Sequence, residues 1–255
     1  MIMNVSHICI GHKIPDFTLD EKFIFLSPEP IGIENEIVIR DDRFEGGHGG
    51  SLAEYSQLFG LADLIVNGTL KIDMLNLFQY RKFISPYAGG YQSVASWVKV
   101  ISPQQAHAFF PKEADLRNFK GDLIIGSVLD FSESISNSYA KVHVIDDLVC
   151  FAAACAESKY INEKTIKNLS AMTGIIPSPA LCYIKTDIFL HLMEILKDVS
   201  NIFLAKYHTP REGYQRRSTG YLLERLHGIL IFDLIQSGAI SDCQIWNRYV
   251  INTEI

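Results

Sequence analysis

Paired cysteines are missing from this chain. Its five cysteines, Cys9, Cys150, Cys155, Cys182 and Cys243, are odd in number and scattered through apolar surroundings, without the CxxC spacing of a zinc site. Buried free thiols in a reducing compartment follow. An excess of positive charge is missing too: 23 Lys and Arg stand against 29 Asp and Glu, a net charge of −6, which excludes the broad basic footprint of a nucleic-acid binder. No apolar run approaches the roughly 20 residues of a membrane span, and LHGILIFDLI is interrupted by Asp233. The N-terminal MIMNVSHICIGH has neither the basic flank nor the long apolar stretch of a secretory signal. The expectation is a soluble cytoplasmic protein that can work at a membrane surface peripherally without crossing it.

What is present is enough apolar material, 48% of 255 residues, for one large domain or two small ones. There are no repeats, low-complexity tracts or linkers, so a single domain over 1–255 is expected. HICIGH, IENEIVIR, KIDMLNLFQYRKF, GDLIIGSVL, PSPALCYIK and CQIWNRYVI read as strands. Helices are expected from Ser51, where Ser51 and Glu54 have capping-box spacing, in DDLVCFAAACAESKY and TDIFLHLMEILKDVSNIF, and over about Gln215–Gln236 with Gly238 as the stop. Alternating strands and helices give an α/β fold with a mainly parallel sheet, whose ligand site lies at the carboxyl ends of the strands. Charge is uneven along the chain. Ten acids fall within residues 1–60, and the cations gather late, in KYHTPREGYQRRSTGYLLERLH.

Six segments, in order, resemble a glycosyltransferase-like family of bacterial capsular polysaccharide and O-antigen biosynthesis: GHKIP, RDDRFEGGHGGS running into a helix with Glu54, QYRKF, YAKVHVIDDL, LCYIKTDIF and RSTGYLLERL. Gln79 stands where the family has His, and Lys82 where it has Arg. The resemblance implies a single-domain, GT-A-like, Rossmann-type sheet flanked by helices that binds a nucleotide-sugar donor and serves a glycan or lipid-linked acceptor. The nucleotide-sugar is then a substrate, and no cofactor is implied.

Sugar transfer from such a donor leaves a diphosphate, and something cationic must meet its developing charge. QYRKF carries no Asp-x-Asp metal motif; Gln79, Tyr80, Arg81 and Lys82 stand there instead, and arginine clamps phosphate with paired donors without a metal. An ordinary solvated strand end is the plainer reading of Arg81. Arg216 and Arg217 at the start of the last helix suit an anion, or are surface charges, and Glu224 can bind a sugar hydroxyl or a neighbouring cation. His12 and Lys13 end the first strand, where nucleotide contact is expected. Asp42, with Asp41, can contact ribose or only brace the glycine-rich turn. For the general base that an inverting transfer needs, Asp147 is favoured, with Asp146 beside it and His143 orienting it or touching sugar. Asp at a helix start is also a common cap. Two other readings stay open: an inactive nucleotide-sugar or glycan-binding module, which Gln79 in place of His favours, and a hydrolase, which adjacent carboxylates serve badly.

Overall fold

The computed structural model describes residues 4–253 apart from 16, 20–21, 41–48, 94–96 and 131. From the amino end, β1 (Val5–Ile10), β2 (Ile24–Ser27) and β3 (Glu36–Val38) run parallel, and a helical turn, α1 (Gly49–Leu52), leads into α2 (Tyr55–Val66). β4 (Met74–Gln79) lies parallel to β1, and β5 (Lys82–Ser85) folds straight back along it. β6 (Tyr91–Gln92), β7 (Lys99–Ile101), the short helices α3 (Ala106–Phe109) and α4 (Glu113–Asn118), β8 (Leu123–Gly126) and β9 (Leu129–Asp130) follow. Then come α5 (Ile135–Ala140), α6 (Ile145–Glu157), α7 (Glu163–Ala171), β10 (Gly174–Ile175) and β11 (Cys182–Lys185). The long helices α8 (Thr186–Lys206) and α9 (Ser218–Gln236) precede the last strand, β12 (Cys243–Ile251). No described helix is long and apolar enough to cross a membrane.

Strand alternation sorts the core. Ile8 and Ile10 of β1, Leu75 and Leu77 of β4, Leu123 and Ile125 of β8, and Cys182 and Ile184 of β11 pack with apolar residues of α2, α6, α8 and α9. The intervening positions enter separate apolar groups: Cys9 and Phe78 join Phe25, Phe83, Phe110 and Tyr249, while Ile124 and Tyr183 meet Leu116 and Phe119. Burial on both faces is why these strands read as nearly continuous apolar runs.

The sheet is mixed rather than mainly parallel, which corrects the Rossmann-type expectation. Its order is β3-β2-β1-β4-β11-β8-β12-β7-β6. β11 runs antiparallel to both β4 and β8. β12 lies parallel to β8 over Cys243–Trp246 and then antiparallel to β5 over Asn247–Val250, so β4, β11, β8, β12 and β5 close into a ring. Alternation of apolar residues fixes the pleat of a strand and carries no information about its direction. Three local expectations also change. KIDMLNLFQYRKF is a hairpin, not one strand, and α2 begins at Tyr55 with Glu54 as a cap whose side chain makes no capping bond; the Ser51 hydroxyl meets Thr219 Oγ1 at 3.1 Å instead. The last helix starts at Ser218, after a 3₁₀ turn over Gly213–Arg217.

α9 presses against the α1–α2 junction at Gly220, where a Cβ would lie 2.8 Å from Ala53 Cβ and 3.0 Å from the Leu52 carbonyl oxygen. Alanine is the better helix former by about 1 kcal/mol, but the clash is with backbone and outweighs it at roughly 1–3 kcal/mol. Gly220→Ala is therefore expected to lower stability by about 1 kcal/mol in urea unfolding; a more stable variant would show that the two helices can part freely.

Candidate active site

β1 and β4 end side by side, with Ile10 opposite Gln79. Tyr80 N–H still donates to the Ile10 carbonyl at 3.3 Å, and then the chain reverses over Tyr80 and Arg81 so that Lys82 returns opposite Gln79. An unbroken strand would have sent these four side chains to alternate faces. The turn instead brings Gln79, Tyr80, Arg81 and Lys82 to the wall of one cavity of about 290 Å³. The Tyr80 ring gathers its neighbours: the His12 ring stands edge-on at 5.0 Å, Lys13 Nζ lies 5.1 Å from its centroid and the Arg81 guanidinium 5.7 Å. Gly11 permits this approach, since a Cβ there would sit 3.1 Å from Tyr80 Cβ. Burial, then the charges of Arg217, Lys13 and Arg81, lower the proton affinity of His12 below that of an ordinary histidine, which favours the neutral imidazole.

The facing wall is helical. Gly50, Ala53, Glu54 and Gln57 come from the α1–α2 junction, Arg217, Tyr221 and Glu224 from the start of α9, and Ser178 from the loop before β11. Ala53 and Ser178 have φ of 52° and 47°, conformations costly for residues with a Cβ, and both line this cavity. Glu224 holds the second of them, accepting the Ser178 N–H at 2.6 Å. Glu54 accepts from Gln79 Nε2 at 3.4 Å. Burial, reinforced by the negative charge of Glu224, raises Glu54 above the usual glutamate range, with Lys82 and Arg217 pulling the other way. Lys82 is held below the ordinary lysine value by burial, against the opposing pull of Glu54 and Glu224. The site thus pairs a carboxylate poised to hold a proton with a cluster of cations in partly desolvated surroundings.

Of the residues singled out in the sequence, His12, Gln79, Tyr80, Arg81, Lys82, Arg217 and Glu224 line this cavity. Lys13 adjoins it over Tyr80, and the Arg216 guanidinium lies against Gly50. Asp42, with Asp41, falls outside the described residues. His143, Asp146 and Asp147 sit elsewhere, one layer behind the wall. The His143 ring packs on Tyr221 at 4.4 Å, Asp146 is exposed in the first turn of α6, and Asp147 is buried and paired with Arg211 Nη2 at 2.8 Å. That pair ties the segment between α8 and α9 to α6, and Gln215 adds a second tie through Nε2 to the Val142 carbonyl at 2.8 Å. Glu54 was legible as a capping-box member and as part of a resembling segment but was given no role, Tyr221 lay in RSTGYLLERL without being singled out, and Ser178 carried no signal. A larger cavity of about 610 Å³, lined by Ile14, Phe17, Leu19, Phe23 and Ile33 among others, brings together no comparable set of charges. Among the described residues no cluster of His, Cys, Asp or Glu has metal-binding geometry.

Neither a family model nor a curated relative matches the sequence. Among solved structures, the fold is similar to that of the bifunctional glycosyltransferase WbbM in its apo form, with a TM-score of 0.76 at 16% identity over 98% of this chain. This chain spans 46% of that one. The fold is glycosyltransferase-like.

Removing Asp147 strands Arg211, whose side chain keeps 27% of its surface in solvent, so the cost is about 1–2 kcal/mol, short of that for a fully buried pair. Asp147→Ala is accordingly expected to destabilise the protein by about that amount in chemical denaturation, and a loss below about 0.5 kcal/mol would mean that Arg211 does not depend on it.

Proposed function

We propose that this protein is a nucleotide-sugar-dependent glycosyltransferase in which side-chain cations, rather than a metal, hold the donor diphosphate. One observation carries the reading: Arg81 and Lys82 from the β4–β5 turn and Arg217 from the start of α9 converge with Glu54 and Glu224 in one cavity at the carboxyl ends of parallel β1 and β4. The likeness of the fold to a glycosyltransferase supports it. Arg81 and Arg217 offer guanidinium forks to the phosphates, and His12, at the end of β1, is placed toward the nucleoside. In the transfer, an acceptor hydroxyl gives its proton to Glu54 as its oxygen bonds to the anomeric carbon. The bond from that carbon to the diphosphate breaks, and the nucleoside diphosphate leaves with the electron pair, its charge met by the cations. Glu54 rather than Asp147 is assigned the base, because it lines the cavity and its raised proton affinity strengthens it. The acceptor is a glycan or a lipid-linked glycan, and work at the cytoplasmic face of a membrane through peripheral association fits the same reading.

Calorimetric titration of Arg81→Ala with a nucleoside diphosphate is expected to show affinity lowered about 10- to 100-fold, with nucleoside alone little affected and chelator without effect. Equal losses for both ligands, or binding abolished by EDTA and restored by manganese, would overturn the assignment of the diphosphate to the turn. Tight diphosphate binding without release of nucleoside diphosphate from any nucleotide-sugar would mark a binding module instead.

The pH profile tests the base. Because Glu54 titrates above the ordinary glutamate range and must be ionised to act, turnover is expected to rise with pH along a limb displaced upward from that range. Glu224→Gln removes the neighbouring charge while keeping an acceptor for Ser178, so the limb should move to lower pH; Glu54→Gln should cut turnover by about 10²-fold or more. A limb that Glu224→Gln leaves in place would exclude Glu54 as its source.

A further inference from the structure

At the rim of the cavity the aromatic rings form a stack that the donor reading does not use. Tyr221 lines the cavity, Tyr214 stacks on it at 5.2 Å with planes 30° apart, and His143 packs against both, parallel to Tyr214 within 7°. Tyr214 nonetheless leaves 66% of its surface to solvent. Such an open ring is unusual in being held so firmly. Its own carbonyl accepts from the Tyr221 hydroxyl at 3.4 Å, His143 Nδ1 donates to Gln215 Oε1 at 3.2 Å, and the Gln215 amide is fixed on Val142. Behind these, the Asp147–Arg211 pair anchors the segment that carries Tyr214. A half-buried ion pair and a glutamine bonded once through each end of its amide thus orient an exposed aromatic face.

We propose that this face, Tyr214 with Tyr221 at its edge, is the seat of the acceptor's sugar ring. The inference rests on the glycosyltransferase reading and deepens it. A sugar presents a flat face of C–H groups ringed by hydroxyls, and what matches it is a rigid aromatic plane bordered by hydrogen-bonding groups. Gln215 and His143 supply that border, and Glu224, next along α9 in the cavity wall, continues it toward Glu54. Of the cations that suit phosphate, Lys13 and Arg81 gather around Tyr80 at the end of β1, while Arg217 ends the turn that carries Tyr214 and lines the cavity. An acceptor ring on Tyr214 therefore places its reactive hydroxyl inward, toward the carboxylates and the donor.

The test uses the whole protein and a panel of methyl glycosides. Saturation-transfer NMR of the wild type is expected to show contact with one or more glycosides, lost in Tyr214→Ala and kept in Tyr214→Phe. Nucleoside diphosphate affinity should stay within about 2-fold in both variants. In turnover, Tyr214→Ala should raise the KM for acceptor roughly 10-fold and leave that for donor unchanged. Contact that persists in Tyr214→Ala, or absence of contact with any glycoside in a wild type that binds nucleoside diphosphate, overturns this proposal alone. Weakened nucleoside and diphosphate binding in Tyr214→Ala would make the ring a nucleobase platform and likewise overturn it. A wild type that neither binds nucleoside diphosphate nor releases it from nucleotide-sugars removes the glycosyltransferase reading, and this proposal with it.

Discussion

The reversal of the chain at Tyr80–Arg81 is the constraint on which the rest of the site depends. β4 must run parallel to β1, and β5 must pair with β12, so the chain has two residues in which to turn around. The residues at that turn reach the edge of the core rather than its interior, because the strands that flank them already fill it on both faces. They project past the end of β1 into the space below α9. Sheet closure and site construction are thus one event: the pairing that completes the ring is the pairing that displays Gln79, Tyr80, Arg81 and Lys82.

The electrostatics follow from this crowding. A chain of net charge −6 assembles its cations at a cavity wall where burial weakens the hold of Lys82 and His12 on their protons. Glu54 and Glu224 offset that repulsion, and the charge of Glu224 makes Glu54 costlier to ionise. Charges so arranged are costly to hold in partly desolvated surroundings. Two strained backbone positions, Ala53 and Ser178, lie in the same place. Stability has been given up locally, and the common explanation for such a concentration is a ligand that repays it on binding.

Much of the architecture was legible where it depends on neighbours in sequence. The short apolar run of HICIGH and the helical spacing of TDIFLHLMEILKDVSNIF both appear as expected, in β1 and α8. His12, Arg81, Lys82 and Arg217 could be singled out because each ends or begins an element. What could not be read was anything fixed by distant partners. β11 gives no local sign of its direction, which β4 and β8 impose. Asp147 looked like a base at a helix start because Arg211, 64 residues away, is invisible to local pattern. Glu54 looked like a cap because the spacing was right, whereas the left-handed turn at Ala53 swings it into the cavity.

The wall of the cavity is drawn from Ile10 at one end of the chain to Glu224 near the other. No contiguous fragment contains it, and none of its sides can take shape until β1, the β4–β5 turn and α9 have docked. Such long-range assembly comes late in folding, since the entropy of closing long loops must be met before the contacts form. A partly folded chain, or a nascent one still lacking α9, would therefore lack this cavity. Competence of the cavity becomes a report on completion of the whole fold, and any ligand that binds there would, by mass action, hold all of it together.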